Sequence, residues 1–288
     1  MKTEKNNARG MLITSMCIFG TIGILRRHIP LSSSLVALVR GIIGTLFLVT
    51  VILLRRQPMD RNSILKNLPL LALSGAAIGF NWILLFEAYN YTSVAIATLC
   101  YYLAPILVIL ASPVALKEKM TLRKVGCTLV ALTGMVLVSG VMDVGFSGFS
   151  EIKGILFGLG AAFLYACVIL MNKKMPQVPA YDKTILQLSM ASVALLPYVL
   201  LTEDLSAVSL TPVALVFLIV AGVVHTGIAY WLYFGSIGSL SANTVALMSY
   251  IDPVLAIILS MVVLHEPMTI AAAFGAVLIL GAAYISEK

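Results

Sequence analysis

The chain has 288 residues, of which 60% are hydrophobic and 11% charged, against about 25% charged in soluble proteins. With a mean hydropathy of +1.04, too few polar side chains remain to clothe a water-soluble globule of this size, so a soluble fold is excluded. The net charge of +7 lies in short clusters between apolar runs, which suits anionic lipid headgroups and argues against a nucleic-acid partner.

A bilayer core about 30 Å thick takes roughly 20 apolar residues per helix. Cutting the apolar runs at charges, prolines and polar turns gives ten spans, at 10–25, 33–54, 68–88, 93–116, 125–141, 154–171, 184–201, 212–234, 240–264 and 269–286. Only short connections remain between them, with no room for a soluble domain. The first span follows Lys2, Lys5 and Arg9, like the start of a signal peptide. Arg26 and Arg27 close it without a small-residue cleavage site, so it reads as a retained helix behind a tail at 1–9. The second span carries Arg40, the third Asn81, Trp82 and Glu87, the fourth Tyr101, Tyr102 and Pro105. The eighth carries His225 and Tyr230, and the ninth Tyr250, Asp252 and Pro253. Cys17, Cys100, Cys127 and Cys167 all fall within spans and are too widely spaced for a metal-binding pair, so packing is their expected role. No cofactor is expected.

Loop charges set the expected orientation. With the amino terminus inside, the inner segments hold 15 lysines and arginines and the outer loops 3, so both termini are expected in the cytoplasm of a multi-pass inner-membrane protein.

Sliding the sequence against itself by 148 residues aligns the fourth span with the ninth, with 11 identities in the 23 positions from Leu99 to Thr121. They include Tyr102 with Tyr250, Pro105 with Pro253 and Glu118 with Glu266. The same offset pairs Gly79 with Gly227 and Phe86 with Phe234. The chain is thus two copies of a five-span unit, at 10–141 and 154–286. An odd number of spans per copy turns the second upside down. The turn after the ninth span, which lacks lysine and arginine where its counterpart has four, agrees. The expected fold is all-α, with ten transmembrane helices in two inverted-topology repeats, an arrangement that secondary transporters use to open one central site to either side in turn.

The stretches Phe86 to Ala95, Tyr102-Leu103-Ala104-Pro105, Leu116-Lys117-Glu118-Lys119 and Gly134 to Val138, with Tyr250-Ile251-Asp252-Pro253 and Leu264-His265-Glu266-Pro267 in the second copy, resemble the repeated unit of the EamA family in the drug/metabolite transporter superfamily. The resemblance covers nearly the whole chain. It implies a ten-helix inner-membrane carrier of small metabolites, often amino acids or their relatives and frequently an exporter, with the lipid bilayer and a small-molecule substrate as its partners.

Ionisable groups deep in a span cost about 2.5–3.5 kcal/mol to insert, which makes each a functional candidate. Asp252 is the deepest, and its repeat counterpart is Ala104, so the carboxylate is not required by the repeat itself. It either takes part in transport, with protons as the coupling ion, or accepts hydrogen bonds that lock the fold. Pro253 and Pro105 each withhold a backbone N–H and are expected to free the carbonyls of Ser249 and Tyr101. Arg40 is placed to bind a carboxylate or to neutralise an acid, for which Glu87 is the candidate, although a wet interfacial role suits Glu87 equally. His225 is a proton exchanger or a packing residue. Trp82 and Tyr230, equivalent in the two copies, would wall a cargo site. Tyr101, Tyr102 and Tyr250 would add hydroxyl-bearing rings, and Asn81 is a polar candidate beside Trp82.

The chain lacks a phosphate-binding P-loop and the HExxH and GxSxG motifs, which argues against an ATPase or hydrolase. An amino-acid-like cargo is expected, with cationic or neutral drug-like compounds as the alternative and a non-transporting sensor or scaffold as a distant one. A monomer or a homodimer fits equally.

Overall fold

The computed structural model describes residues 2–26, 28–56, 58–92, 94–119, 121–139, 149–207, 210–264 and 269–287. Glu266, within the repeat match, lies outside the described residues, as does much of the join between the two copies. Among the described residues the chain is helical, and each of the ten apolar stretches coincides with helix. The first stretch forms α1 (Lys2–Gly20) and α2 (Ile22–Arg26), followed by α3 (Ser33–Arg55) and α4 (Arg61–Tyr91). The fourth divides into α5 (Val94–Tyr101) and α6 (Ala104–Leu116), and the fifth forms α7 (Leu122–Ser139). The second half continues with α8 (Phe149–Lys173) and α9 (Ala180–Thr202). Its eighth stretch is α10 (Pro212–Gly222) and α11 (Ala229–Ile237), joined through a π-helical turn at Val223–Ile228. The ninth divides into α12 (Ala242–Met248) and α13 (Ile251–Leu264), before α14 (Ile270–Glu287). Seven of the helical stretches, from Glu4–Leu25 to Pro212–Ile237, are long and apolar enough to cross a membrane. With the lipid-like composition they make the chain an all-α, multi-pass membrane protein.

Short polar side chains start the helices. Ser32, Asp60, Thr211 and Ser241 each accept a hydrogen bond from the N–H three residues on, at 3.3, 3.0, 3.2 and 3.1 Å, satisfying donors that the helix itself leaves bare. Pro212 at the first position of α10 adds a preset φ. Left-handed residues end α3 at Arg56 and α6 at Lys117.

The single-helix expectation for the fourth and ninth stretches is corrected by their breaks. Pro105 lies in the first turn of α6 and Pro253 in that of α13, where a missing N–H costs no helical bond. The prolines therefore start second segments rather than interrupt continuous helices. The first stretch also breaks, at Thr21.

α4 packs against α8 and α9, α3 against α9 and the π turn, α1 against α11 and α13, and α7 against α14. Glycines permit the closest approaches. A Cβ on Gly79 would lie 2.7 Å from the Ala191 carbonyl, and one on Gly134 would lie 2.6 Å from the Gly275 carbonyl. A buried polar seam joins α4, α8 and α9, where Gln187 donates to Ser74 at 2.5 Å and to Asn172 at 3.3 Å. Such bonds satisfy groups that hydrocarbon would leave stranded.

The start of α1 lies beside the end of α14, since Arg9 and Ile13 share a groove with Ala283 and Tyr284. The connections that hold Asp60, Glu118, Gln177 and Leu240 gather at this terminal end, tied by bonds such as Ser63 to the Gln177 carbonyl (3.3 Å) and Arg123 to the Ile285 carbonyl (2.5 Å). Residues 28–32, 92, 203–207 and 210–211 lie at the opposite end, where Ser34 donates to Glu203.

Candidate functional site

The breaks in α1/α2, α5/α6 and α12/α13 surround a cavity of about 230 Å³. Its walls come from both halves of the chain. Arg40 of α3, Trp82 and Phe86 of α4, and Tyr101, Tyr102 and Pro105 at the first break face Tyr230, Ser249 and Asp252 of the second half. Met16, Phe19 and Ile22 close the side formed by α1 and α2.

Two opposite charges share this space without touching. The Arg40 guanidinium stacks over the Trp82 ring, 4.9 Å from its centroid, a cation–π contact that holds the cation without neutralising it. Its Nε is buried with no hydrogen-bond partner among the described residues. No ion pair joins Arg40 to Asp252 among them. Gly20 brings α1 against the other charge, where a Cβ would lie 2.8 Å from the Asp252 backbone oxygen.

Aromatic rings complete the walls. Trp82 and Tyr230, 148 residues apart in sequence, meet edge to face at 6.3 Å. Tyr101 stacks on Tyr165 at 5.6 Å, and Tyr165 and Tyr233 join their hydroxyls at 2.8 Å. Tyr102 and Tyr250, also 148 residues apart, approach with ring centroids at 6.3 Å, and the Tyr250 hydroxyl donates to the Tyr102 carbonyl at 2.9 Å. The two helix breaks are therefore bonded to each other.

A second recess of about 250 Å³ shares Ile22, Arg40 and Phe86 with the cavity and extends to Ile29 and Ser33. The site thus reaches toward the opposite end of the bundle. On the terminal side, the Tyr165 and Tyr233 pair is followed by the buried Phe234, Ile237 and Ile169, with a recess of only about 20 Å³ beside it.

Four expected site residues lie elsewhere. Glu87 is not the partner of Arg40. It accepts from the Tyr198 hydroxyl at 2.5 Å and from Asn90 at 3.5 Å, because α4 turns it toward α9. His225 lies behind the wall in the π turn, bonded at 2.7 Å to Thr21 at the α1/α2 break. Thr21 also gives a hydrogen bond to the Ile18 carbonyl at 2.7 Å. Asn81 donates to the Ala161 carbonyl at 2.6 Å and lines only a small side recess. Tyr250 is fully buried at the junction of the breaks. Asp252, Arg40, Trp82, Tyr230, Tyr101, Tyr102 and Pro105 do share the cavity. Pro253 shapes the break below it. Sequence reasoning missed Phe19, Tyr165 and Tyr233, which carry no charge and look like ordinary packing residues.

The EamA-like transporter family matches residues 8–140 and 152–287 of this chain. Two relatives from Bacillus subtilis (strain 168) bear transporter names. The "Uncharacterized transporter YxxF" is 30% identical over 90% of this chain and 82% of its own length. The "Uncharacterized transporter YvbV" is 29% identical over 66% of this chain and 62% of its own. A crystal structure with 21% sequence identity superposes with a TM-score of 0.84 over 98% of this chain and 96% of that one, a likeness of fold.

Proposed function

Because the chain belongs to the EamA-like transporter family, which matches it twice, we propose that this membrane transporter exports small amino-acid-like metabolites. It works across the inner membrane by alternating access between two inverted repeats, 10–141 and 154–286, with both termini in the cytoplasm. One observation carries the cargo reading: Arg40 and Asp252 face the same cavity from opposite halves and do not bond each other. A fixed cation and a fixed carboxylate held apart are complementary to the carboxylate and ammonium of a zwitterion. The aromatic walls suit its apolar part.

The alternation reading is supported by the offset of 148 residues, which relates Trp82 to Tyr230, a pair that meets in the cavity wall, and Tyr102 to Tyr250, a pair that meets where the two breaks join. The orientation is supported by the 15-to-3 excess of loop cations. In the absence of an ATP-binding motif, a proton gradient drives accumulation. The Asp252 carboxyl is the carrier, binding either a proton or the cargo's ammonium group.

The test is flux of labelled amino acids in proteoliposomes, with and without an imposed pH gradient. Native protein is expected to move at least one amino acid uphill when the gradient is present. Asp252→Asn should abolish that component and leave downhill exchange, while Arg40→Gln should weaken binding of carboxylated cargo about tenfold or more, the scale of one charge-assisted hydrogen bond. Flux of cationic drug-like compounds with none of amino acids would overturn the cargo reading. Identical native flux with and without the gradient would make the protein a facilitator.

A further inference from the structure

Between the cavity and the terminal end of the bundle, the two halves of the chain are joined by a cluster centred on Glu118. α6 ends at Lys117, whose φ of 57° is left-handed, an uncommon conformation for a residue with a side chain. The turn returns the Glu118 N–H to the Ser112 carbonyl at 3.4 Å and sends the Glu118 side chain across to α12. There its two oxygens accept from the Ala242 N–H at 3.0 and 3.2 Å. Lys173, at the end of α8, places Nζ 3.7 Å from Glu118 Oε1 and donates to the Leu240 carbonyl. Ser112 Oγ, which donates to the Ile109 carbonyl at 3.0 Å, also lies 3.4 Å from Asn243 Oδ1, one residue further along α12.

Glu118 and Ser112 belong to the first half of the chain; Lys173, Leu240, Ala242 and Asn243 belong to the second. One carboxylate therefore pins the ends of α6, α8 and α12 together. The Lys173 and Glu118 side chains are only 14% and 19% exposed, so solvent screens the pair less than it would a surface bridge. Separating the halves here would break a charge-assisted bond to a backbone N–H and an ion pair together, which makes the seam cooperative.

We propose that Glu118 is a latch that holds the terminal end shut while the cavity is open toward the opposite end, and that it must release Ala242 and Lys173 before the cavity can open on the terminal side. The proposal rests on the alternating-access reading above. Its test needs no knowledge of the cargo. Nitroxide labels at Leu122→Cys and Ser239→Cys, both at exposed positions, report the terminal end in full-length protein lacking its native cysteines. Labels at Ile270→Cys and Tyr91→Cys, the exposed positions 148 residues away, report the other end.

Distances from pulsed electron resonance in native protein should be dominated by a short population at the terminal end. Glu118→Gln and, independently, Lys173→Met should each raise the ratio of long to short distances there, roughly tenfold for the loss of a charge-assisted bond. The native ratio in both variants would overturn the latch. A rise at the terminal end with no matching shortening between positions 270 and 91 would support the latch and overturn alternation.

Discussion

At the scale of single residues, the cavity depends on one glycine that brings two helices together. Gly20 places α1 directly on the backbone of Asp252, and a Cβ there would meet that carbonyl oxygen at 2.8 Å and the Leu255 Cβ at 3.0 Å. A backbone atom cannot rotate away, so Gly20→Ala should force α1 outward and destabilise the protein by about 1–3 kcal/mol. Gly23, with nothing within 4 Å of its would-be Cβ, serves as the matched control, since Gly23→Ala should leave stability unchanged or slightly raised. Thermal unfolding of both variants in detergent checks this. Equal melting temperatures for the two would show that the contact with Asp252 is not tight. Charge made much of the site legible from sequence, because Asp252 and Arg40 are costly in lipid and had to face something polar. The same logic misplaced Glu87 and His225, which bond locally to Tyr198 and Thr21. It was silent on Tyr165 and Tyr233, because a tyrosine in a membrane helix is inexpensive and gives no signal until its hydroxyl partner is seen.

At the scale of elements, hydropathy located the long helices of the described residues but not the breaks within them. A run such as 93–116 stays apolar through Tyr102 and Leu103, and hydropathy is blind to a turn made of apolar residues. Only the prolines marked the sites, and they marked the starts of α6 and α13. Since each proline occupies a first turn, alanine there adds an N–H that can extend the following helix backward through the break. Pro105→Ala and Pro253→Ala are therefore expected to keep near-native abundance in the membrane while slowing transport several-fold, because a straightened helix carries Tyr102 or Asp252 out of register with the cavity. Immunoblotting of membranes alongside vesicle flux separates the two effects. Native flux in both variants would show that the breaks persist without the prolines and are fixed by the Tyr250 to Tyr102 bond instead.

At the scale of the whole molecule, the connections that carry Arg56, Lys117, Lys119 and Lys174 gather at the end that also holds the start of α1 and the end of α14. The sequence made this sidedness readable because headgroup potential and insertion act on lysine and arginine wherever they fall in short loops. The proposed orientation predicts that Ser206→Cys, exposed beyond α9, reacts with an impermeant thiol reagent added outside intact cells. Asn62→Cys, exposed at the start of α4, should stay protected until the cells are lysed. Labelling in the reverse order would invert the orientation. What sequence could not supply at this scale is the direction in which the cavity opens, because it reflects which of two packings of similar halves is occupied rather than any one residue's preference.

The two halves are alike in their glycines, prolines and paired tyrosines, yet only one of two matching positions is acidic: Asp252 stands where the first half has Ala104. A carrier with a carboxylate at both positions would hold two ammonium groups, and filling one would alter the other. On the proposed mechanism, a single acid at the junction of the breaks gives each turnover one seat to fill. Occupancy of the site is then expected to rise hyperbolically with cargo concentration, and a proton and a cargo molecule to exchange one for one.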